Sequence, residues 1–295
     1  MTQNADRPDL AAVRNTWRTL EPYHGAVYFS PDAQAEYAKL GTDPLTGYFA
    51  SRSAPLGAVP AEVVVATFYN FSPRLVHRAI PAAWEKAPPE RFLAARLAVV
   101  DATLRRVLGE EVSSPAVERA AKLARTAAEA AIPHQYGRPL FAAHAALPWP
   151  AEPHLVLWHA QTLLREFRGD GHLAALLGAG LTGIEALITH AAADGPGTKM
   201  LRELRGWSQE EWNGAVAGLR ERGWLAEGPG LALTEEGTRR REAIERTTDE
   251  LAALPYTALG ADGCAELCSL VRPYSLALAK ELMPWAVAGL ADGGR

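Results

Sequence analysis

Apolar residues recur every three or four positions along most of the chain, which is the spacing of helices with one buried face. Ala, Leu, Glu and Arg, which favour helices, dominate the composition. The pattern therefore predicts an all-α protein. Helices are expected at residues 10–20, 32–40, 61–69, 73–80, 90–108, 114–131, 138–146, 155–167, 172–193, 199–204, 210–222, 235–254, 261–271 and 275–290.

One stretch predicts a more specific local fold. Between residues 173 and 254, a long helix is followed by a short helix, another helix, a glycine-rich hairpin and a further long helix. This is the element order of a winged helix. Residues 219–225 and 233–237 look like the corresponding turns of MarR-type regulators. We therefore expect a helical N-terminal half and a MarR-like winged-helix C-terminal half with a small two- or three-stranded wing.

The least helical stretch in the middle of the chain is Leu-Pro-Trp-Pro-Ala-Glu-Pro at residues 147–153. Proline removes a backbone donor and disfavours a helical residue before it, so this stretch is a natural boundary. It predicts a helical domain over residues 1–150 and a winged-helix-containing domain over residues 151–295.

The charge balance disfavours some partners. The 295 residues carry 30 Lys and Arg against 34 Asp and Glu, a net charge of −4, which offers no general attraction to nucleic acid or anionic lipid. The N-terminus lacks a signal-peptide pattern, and no apolar run is long enough to span a bilayer. Cys264 and Cys268, four residues apart, have poor geometry for a mutual disulfide. These features predict a reduced, cytoplasmic protein without a membrane segment.

The expected recognition helix of the winged helix does not resemble a DNA reader. It opens with Gln209, Glu210 and Glu211 and continues with small residues, whereas a DNA reader presents Lys and Arg to phosphates. The one basic run, residues 239–241, is expected on a solvent-exposed face. We predict a winged-helix module that is not adapted to DNA, with a homodimer left open.

A dense group of ionisable residues precedes this module. In Arg168-Gly-Asp170-Gly-His172, the two glycines predict a sharp break between helices. Such a break would bring the three side chains together, and a histidine beside a carboxylate is a plausible acid/base or ligand-orienting pair. The alternative is structural: Asp170 caps the next helix and Arg168 pairs with a carboxylate such as Glu166.

The N-terminal half gathers aromatic residues around one arginine. Arg52 follows Tyr48-Phe49 and precedes a turn of small residues. Aromatic stripes are usually core, but a buried arginine needs a partner or an anionic ligand. We expect Arg52, Arg168, Asp170 and His172 to converge on one cavity that binds a small aromatic or apolar molecule with an acidic group. The further candidate ligand-binding residues are His24, Tyr28, Tyr69 and His159.

Several motifs do not support a cofactor. Gly178, Gly180 and Gly183 have dinucleotide-motif spacing but lie inside a helical pattern, where they predict close packing against another helix. Paired metal-ligand spacings are absent from the sequence, so no metal site is expected. The cofactor stays unknown.

Several phrases of the sequence together resemble the SalK-like family of bacterial proteins, in order and across nearly the whole chain. This family carries a helix-turn-helix fold. The resemblance implies a two-part all-α protein with a winged-helix C-terminal half, sometimes called a regulator by analogy. The phrases lie at residues 23–29, 47–57, 68–73, 147–150, 168–172 and 206–212.

Three functions of different classes remain open. The first is a cytoplasmic small-molecule-binding protein with its pocket between the two halves. The second is a ligand-responsive transcriptional regulator. The third is a cofactor-poor enzyme that transfers protons through His24, His159 or His172 with Asp170 in a His/Asp/Arg site.

Overall fold

A computed structural model describes residues 8–193, 197–287 and 290. Within these residues the regular structure is helical and no strand forms, so the all-α prediction is confirmed. The helices are α1 (Leu10–Phe29), α2 (Asp32–Ala38), α3 (Pro44–Ser53), α4 (Ala61–Phe68), α5 (Pro73–His77), α6 (Ala82–Lys86), α7 (Pro89–Leu108), α8 (Pro115–Ala131), α9 (Pro139–Ala145), α10 (Pro153–Gly178), α11 (Gly183–Ala193), α12 (Thr198–Leu204), α13 (Gln209–Glu221), α14 (Glu235–Thr257) and α15 (Gly260–Leu282).

The winged-helix prediction is wrong, because the hairpin between α13 and α14 contains no sheet. A single bridge between Leu225 and Leu233 joins its two sides in the described part of the chain. The tip is Glu-Gly-Pro-Gly, and proline cannot donate to a ladder while glycine weakens a strand. The side chain of Arg220 holds the loop instead, donating to the Gly228 carbonyl at 2.6 Å.

The two glycines beside Asp170 do not break the chain. Helix α10 runs through them without interruption, which corrects the predicted turn. A Cβ at Gly171 would lie 2.9 Å from Nη1 of Arg138 and 3.2 Å from Cβ of Leu251. The glycine therefore allows close packing within a continuous helix rather than a bend.

The other glycine prediction is wrong at two of its three positions. A Cβ added at Gly178 or Gly180 would meet nothing within 4 Å, so neither packs closely against another helix. Gly180 follows α10 with a φ of +67°, the left-handed conformation that commonly ends helices. Gly183 is tightly packed, but its neighbour is the backbone of Tyr69, just beyond α4.

Three hydrophobic cores organise the fold. The largest surrounds α10, which packs against α1, α8, α9 and α14, and it takes side chains from both sides of residues 147–153. The second lies among α2–α7 and is rich in phenylalanine. The third lies under α11–α14 around Trp212 and Trp224. The division of the chain near residue 150 stays a prediction.

No single helix of the described residues is both long and apolar enough to cross a membrane. Helices α10 and α11 reach that length and composition only as a pair, and they are bent by 99° at their junction.

Candidate functional site

A cavity of about 400 Å³ opens beside α10, where residues of the second and third cores meet. Its wall comes from α1, α3, α4, α9, α10, α11 and α14 and from the segments after α4 and α12. Five of the eight candidate residues lie in this wall: Arg52, Tyr69, Arg168, Asp170 and His172. The continuous helix α10, rather than a turn, presents the last three of them.

Arg168 is held by protein carboxylates. Its Nη1 donates to Asp249 of α14 at 2.7 Å, and Glu245 lies 3.7 Å from its Nη2. The guanidinium also lies over the ring of Trp17, 4.5 Å from the centroid. Asp249 receives a second arginine, Arg14, whose Nε donates at 2.7 Å. Arg168 is therefore already neutralised by a carboxylate, as the structural alternative expected, but its partners are Asp249 and Glu245 rather than Glu166.

Asp170 binds the start of another helix instead of capping its own. Its carboxylate accepts the backbone N–H of Phe141, in the first turn of α9, at 2.9 Å. Burial raises the pKa of Asp170 to about 6, and the nearby Glu166 adds to the rise, while the α9 N–H group and Arg138 oppose it. This carboxyl group therefore titrates near neutral pH.

His172 makes a defined hydrogen bond to α14. The Thr248 hydroxyl donates to the Ile244 carbonyl at 2.7 Å, so it accepts from Nδ1 of His172 at 2.9 Å. Burial lowers the pKa of His172 to about 4, which keeps the imidazole neutral at physiological pH. The tautomer that fits these bonds leaves Nε2 as an acceptor. A hydrogen bond donated by Nε2 of His172 to the acidic group of a ligand does not fit this arrangement.

Arg52 has less protein compensation than Arg168. The Arg52 guanidinium stacks 4.2 Å from the ring centroid of Phe68, and its Nη1 donates to the Tyr48 hydroxyl at 2.8 Å. The nearest carboxylate oxygen, on Glu166, is 4.0 Å from Nη2. Its Nε is buried without a hydrogen-bond partner, and the side chain is only 12% exposed.

Sequence analysis missed Arg205, which lies in the cavity wall just after α12. Its guanidinium is 4.5 Å from the ring centroid of Phe71. Among the described residues, no acceptor bonds its side chain, and its Nε is buried. Burial lowers the pKa of Arg205, and the charges of Arg52 and Arg165 add to this effect. An arginine at a helix end before glycine is common, so no signal in the sequence distinguished it.

The cavity wall also contains Arg165 and Arg241, which the sequence analysis did not assign to the site. Arg165 donates to Glu21 at 2.9 Å and to Glu166 at 3.1 Å. Arg241 pairs with Glu245 at 2.7 Å. The basic run 239–241, which was expected on a solvent-exposed face, therefore lies in two environments. Arg239 and Arg240 pair with Glu236 at the surface, whereas Arg241 faces the cavity.

His24, Tyr28 and His159 do not line the cavity but lie in the protein interior. The ring of Tyr28 lies 5.6 Å from the Arg52 guanidinium, and its hydroxyl contacts Nε2 of His24 at 3.0 Å. Burial lowers the pKa of His24 well below its usual value and that of His159 to about 4. Arg96 donates to the Tyr28 hydroxyl at 3.1 Å. These contacts account for Tyr28 and His24 as parts of the interior.

The described residues contain no group of three His, Cys, Asp or Glu side chains arranged to hold a metal ion. The cavity wall combines five arginines and four acidic residues with five Trp, Tyr or Phe rings. Which of these arginines lack a close carboxylate therefore decides where an anionic group could bind.

Helices α12 and α13 have the order of a helix-turn-helix pair. They are joined at Gly206, and Ser208 begins α13 with a capping box that Glu211 completes. A helix-turn-helix family model matches residues 13–284. The chain belongs to this helix-turn-helix family. No curated protein and no solved structure matches it.

The outer face of this helix-turn-helix carries no cation along α13. The exposed residues of α13 are Gln209, Glu210, Glu211, Asn213, Gly214, Ala217 and Glu221. The turn before it is covered by the N-terminal half, where Arg74 pairs with Glu211 at 2.6 Å. The part of a helix-turn-helix that normally approaches DNA is therefore acidic or neutral, and partly covered.

Proposed function

We propose that this protein binds a small aromatic or apolar molecule through an acidic group, and that Arg52 holds that group. The observation that carries the proposal is the buried Arg52 guanidinium, which has an unpartnered Nε and no carboxylate closer than 4.0 Å. A buried cation that is not closely paired is costly, and a ligand carboxylate would neutralise it. Arg52 thus differs from Arg168, which has its own carboxylate.

The rest of the wall suits the non-polar part of such a ligand. Phe68 and Phe71 contribute aromatic rings, and Leu140, Leu173 and Leu176 contribute aliphatic surface. A cavity of about 400 Å³ accommodates a molecule of one or two rings with a short acidic arm. We expect the acidic group of the ligand to accept a charge-assisted hydrogen bond from Arg52, and its ring system to be buried against Phe68 and Phe71.

A ligand-responsive transcriptional regulator is the second candidate. It is supported by the family and by the position of Arg205 and Arg241, which reach the cavity from the helix-turn-helix and from α14. The cation-free face of α13 weighs against it, so we rank it second. An enzyme has less support, because Asp170 and His172 are bonded to backbone and threonine partners.

The proposal includes three more specific predictions, on family subgroup, cellular location and oligomeric state. Membership of the SalK-like group rests on the sequence phrases that resemble it. A cytoplasmic location rests on the composition of the chain, and a homodimer is the possibility that the sequence left open. Analytical ultracentrifugation of the purified chain tests the last of these directly.

The direct test compares acids with their neutral amides. Benzoate, hydrocinnamate and naphthoate are titrated calorimetrically against the wild-type chain, with the matching amides in parallel. At least one acid is expected to bind, and its amide is expected to bind roughly tenfold to hundredfold more weakly. An amide that binds as tightly as its acid contradicts the proposed role of charge.

Arg52→Met isolates the proposed contact. Methionine keeps an unbranched apolar stem against Phe68 but removes the cation, so acid binding should fall to the level of the amide. The melting temperature should stay unchanged or rise, because an incompletely paired buried charge is removed. The matched control is Arg119→Met, at an exposed arginine that pairs with Glu266 away from the cavity. Unchanged acid binding by Arg52→Met would contradict the proposal.

A further inference from the structure

The turn between α12 and α13 is bonded to the segment that follows α4. The backbone N–H of Ser72 donates to the Arg205 carbonyl at 2.8 Å, and Nε1 of Trp207 donates to the Asn70 carbonyl at 2.9 Å. We call these two pieces, residues 69–75 and 205–211, the joint. It connects the N-terminal half to the helix-turn-helix.

Glycines bring the two sides of the joint close together. A Cβ at Gly206 would lie 2.8 Å from Cβ of Leu75, and one at Gly183 would lie 1.8 Å from the carbonyl oxygen of Tyr69. Gly206 also has a φ of +75°, which side chains other than glycine rarely adopt. The chain therefore packs tightly at the joint and leaves no room for a β-carbon at Gly206 or Gly183.

The two under-compensated arginines of the cavity lie on adjacent rings at this joint. Arg52 stacks on Phe68 and Arg205 stacks on Phe71, and the centroids of these two rings are 6.4 Å apart. Nε of each arginine is buried without a partner. Arg52 comes from α3 of the N-terminal half and Arg205 from the end of α12, so each of the two parts that the joint connects contributes one cation.

We propose that Arg205 is the second half of an anion clamp, so that a ligand carboxylate bound between Arg52 and Arg205 fastens the helix-turn-helix to the N-terminal half. This inference rests on the proposed function, because it needs the acid to enter the cavity. The physical reason is charge: two neighbouring guanidinium groups repel each other across the joint, and a carboxylate between them turns that repulsion into two attractions.

The clamp predicts a ligand effect outside the cavity. Without an acid, repulsion between the arginines weakens the joint, and the amides of residues 69–75 and 205–211 should exchange with solvent more readily. With an acid bound, both segments should be protected together. Arg168 should contribute little to this effect, because Asp249 already neutralises it.

Hydrogen exchange of the full chain tests the inference, with hydrocinnamate as the probe and hydrocinnamide as its neutral match. Saturating hydrocinnamate should slow exchange of both joint segments several-fold, whereas hydrocinnamide should not. Arg205→Met should weaken hydrocinnamate binding about tenfold and abolish the protection of residues 205–211. Arg205→Lys, which keeps the charge without the planar fork, should lie between Met and the wild type.

The control variant is Arg239→Met, at an exposed arginine of α14 that pairs with Glu236 and does not line the cavity. It should bind and protect as the wild type does. Hydrocinnamate that binds without protecting the joint, or that binds Arg205→Met with wild-type affinity, overturns the clamp but leaves the proposed function intact. If the wild type binds none of benzoate, hydrocinnamate and naphthoate, the proposed function itself fails and the clamp fails with it. If it binds benzoate or naphthoate but not hydrocinnamate, that acid and its amide are the probe pair and the same outcomes apply.

Discussion

The cavity wall and the outer face of α13 use charge in opposite ways. The cavity wall places five arginines beside four acidic residues inside the protein, whereas the exposed residues of α13 include three glutamates and no cation. A protein that uses its helix-turn-helix to hold DNA is expected to present cations on that outer face. This contrast favours the proposal that an anion binds in the interior rather than on the face of α13. The five arginines of the cavity are Arg52, Arg165, Arg168, Arg205 and Arg241.

The cavity itself contains a second contrast, between paired and under-compensated arginines. Arg165 and Arg168 each have a carboxylate oxygen within 3 Å, whereas Arg52 has none closer than 4.0 Å. Removing a partner from the first kind should damage the fold, because a buried charge is left alone. Removing an arginine of the second kind should damage binding. The variants below test this division.

The largest effect is expected from Asp249→Asn. Asp249 is 2% exposed and accepts from both Arg14 and Arg168, so the substitution takes the carboxylate from Arg14 and leaves Arg168 with only Glu245, 3.7 Å away. The free energy of unfolding should fall by about 3–5 kcal/mol. Chemical denaturation measures this loss.

Glu266→Gln is the matched control for that experiment. Glu266 also binds an arginine, Arg119, through two hydrogen bonds, but both side chains are exposed. Solvent screens such pairs, so the denaturation midpoint should barely move. Equal losses at the two sites would show that burial does not separate the two kinds of ion pair.

The next effect concerns Asp170 and depends on pH. Its folded pKa of about 6 lies above the ordinary aspartate value of 3.8, so the folded state holds this proton more tightly than the unfolded state. Its contribution to stability is therefore fully present below about pH 4 and is lost as the pH rises to about 6. Asp170→Asn keeps an oxygen that can accept from Phe141, and it removes this loss.

The variant should thus gain stability relative to the wild type between pH 4 and pH 7, by up to ~3 kcal/mol. The quantity to measure is the difference in the free energy of unfolding between the variant and the wild type at each pH. His172 and His159 also change the stability of both proteins in this pH range, in the opposite direction. Burial lowers the pKa of each to about 4, so their contributions are lost as the pH falls. A difference that is independent of pH would contradict the raised pKa of Asp170.

A smaller and more local effect on stability is expected at Gly183, which packs against Tyr69 of the joint. Gly183→Ala places a methyl group against the Tyr69 carbonyl, at a site where backbone must move to admit it. The cost should be about 2 kcal/mol, with increased hydrogen exchange in residues 69–75. Gly178→Ala is the control, since its added methyl group meets nothing within 4 Å and favours the helix. Equal melting temperatures for the two variants would contradict a close contact at Gly183.

The sequence predicted most of the helical fold, and its errors have physical causes. Gly169 and Gly171 indicated a turn, yet tertiary packing kept α10 intact because Arg138 and Leu251 need the space beside Gly171. Pro273 likewise divided a predicted helix that the structure continues as α15. Local propensity favoured a break in both places, and neighbouring helices outweighed it.

The sequence predicted a residue of the candidate site where the chemistry of that residue was unusual among its neighbours in the chain. Arg52 was identified because a cation among aromatic and small residues needs a partner, and it does line the cavity. Arg205 gave no such signal, because only the fold brings the end of α12 against Phe71. His24 and His159 do not line the cavity, and the sequence could not show this, because a buried histidine has the same sequence signature as one that faces a cavity.

The smallest expected effect is on DNA binding. The acidic, cation-free outer face of α13 predicts that the chain binds DNA very weakly. The exposed face of α13 has no Lys or Arg, and Glu211 is bonded to Arg74 of the N-terminal half, so few phosphate contacts are available. Duplex binding at physiological salt should be non-specific, with a Kd of about 10⁻⁴ M or weaker by fluorescence anisotropy. Glu210→Lys combined with Gly214→Arg places two cations on this face and should tighten binding and steepen its salt dependence. Nanomolar binding by the wild type would mean that cations elsewhere, or on a second copy of the chain, supply the phosphate contacts, and the regulator would then become the better interpretation.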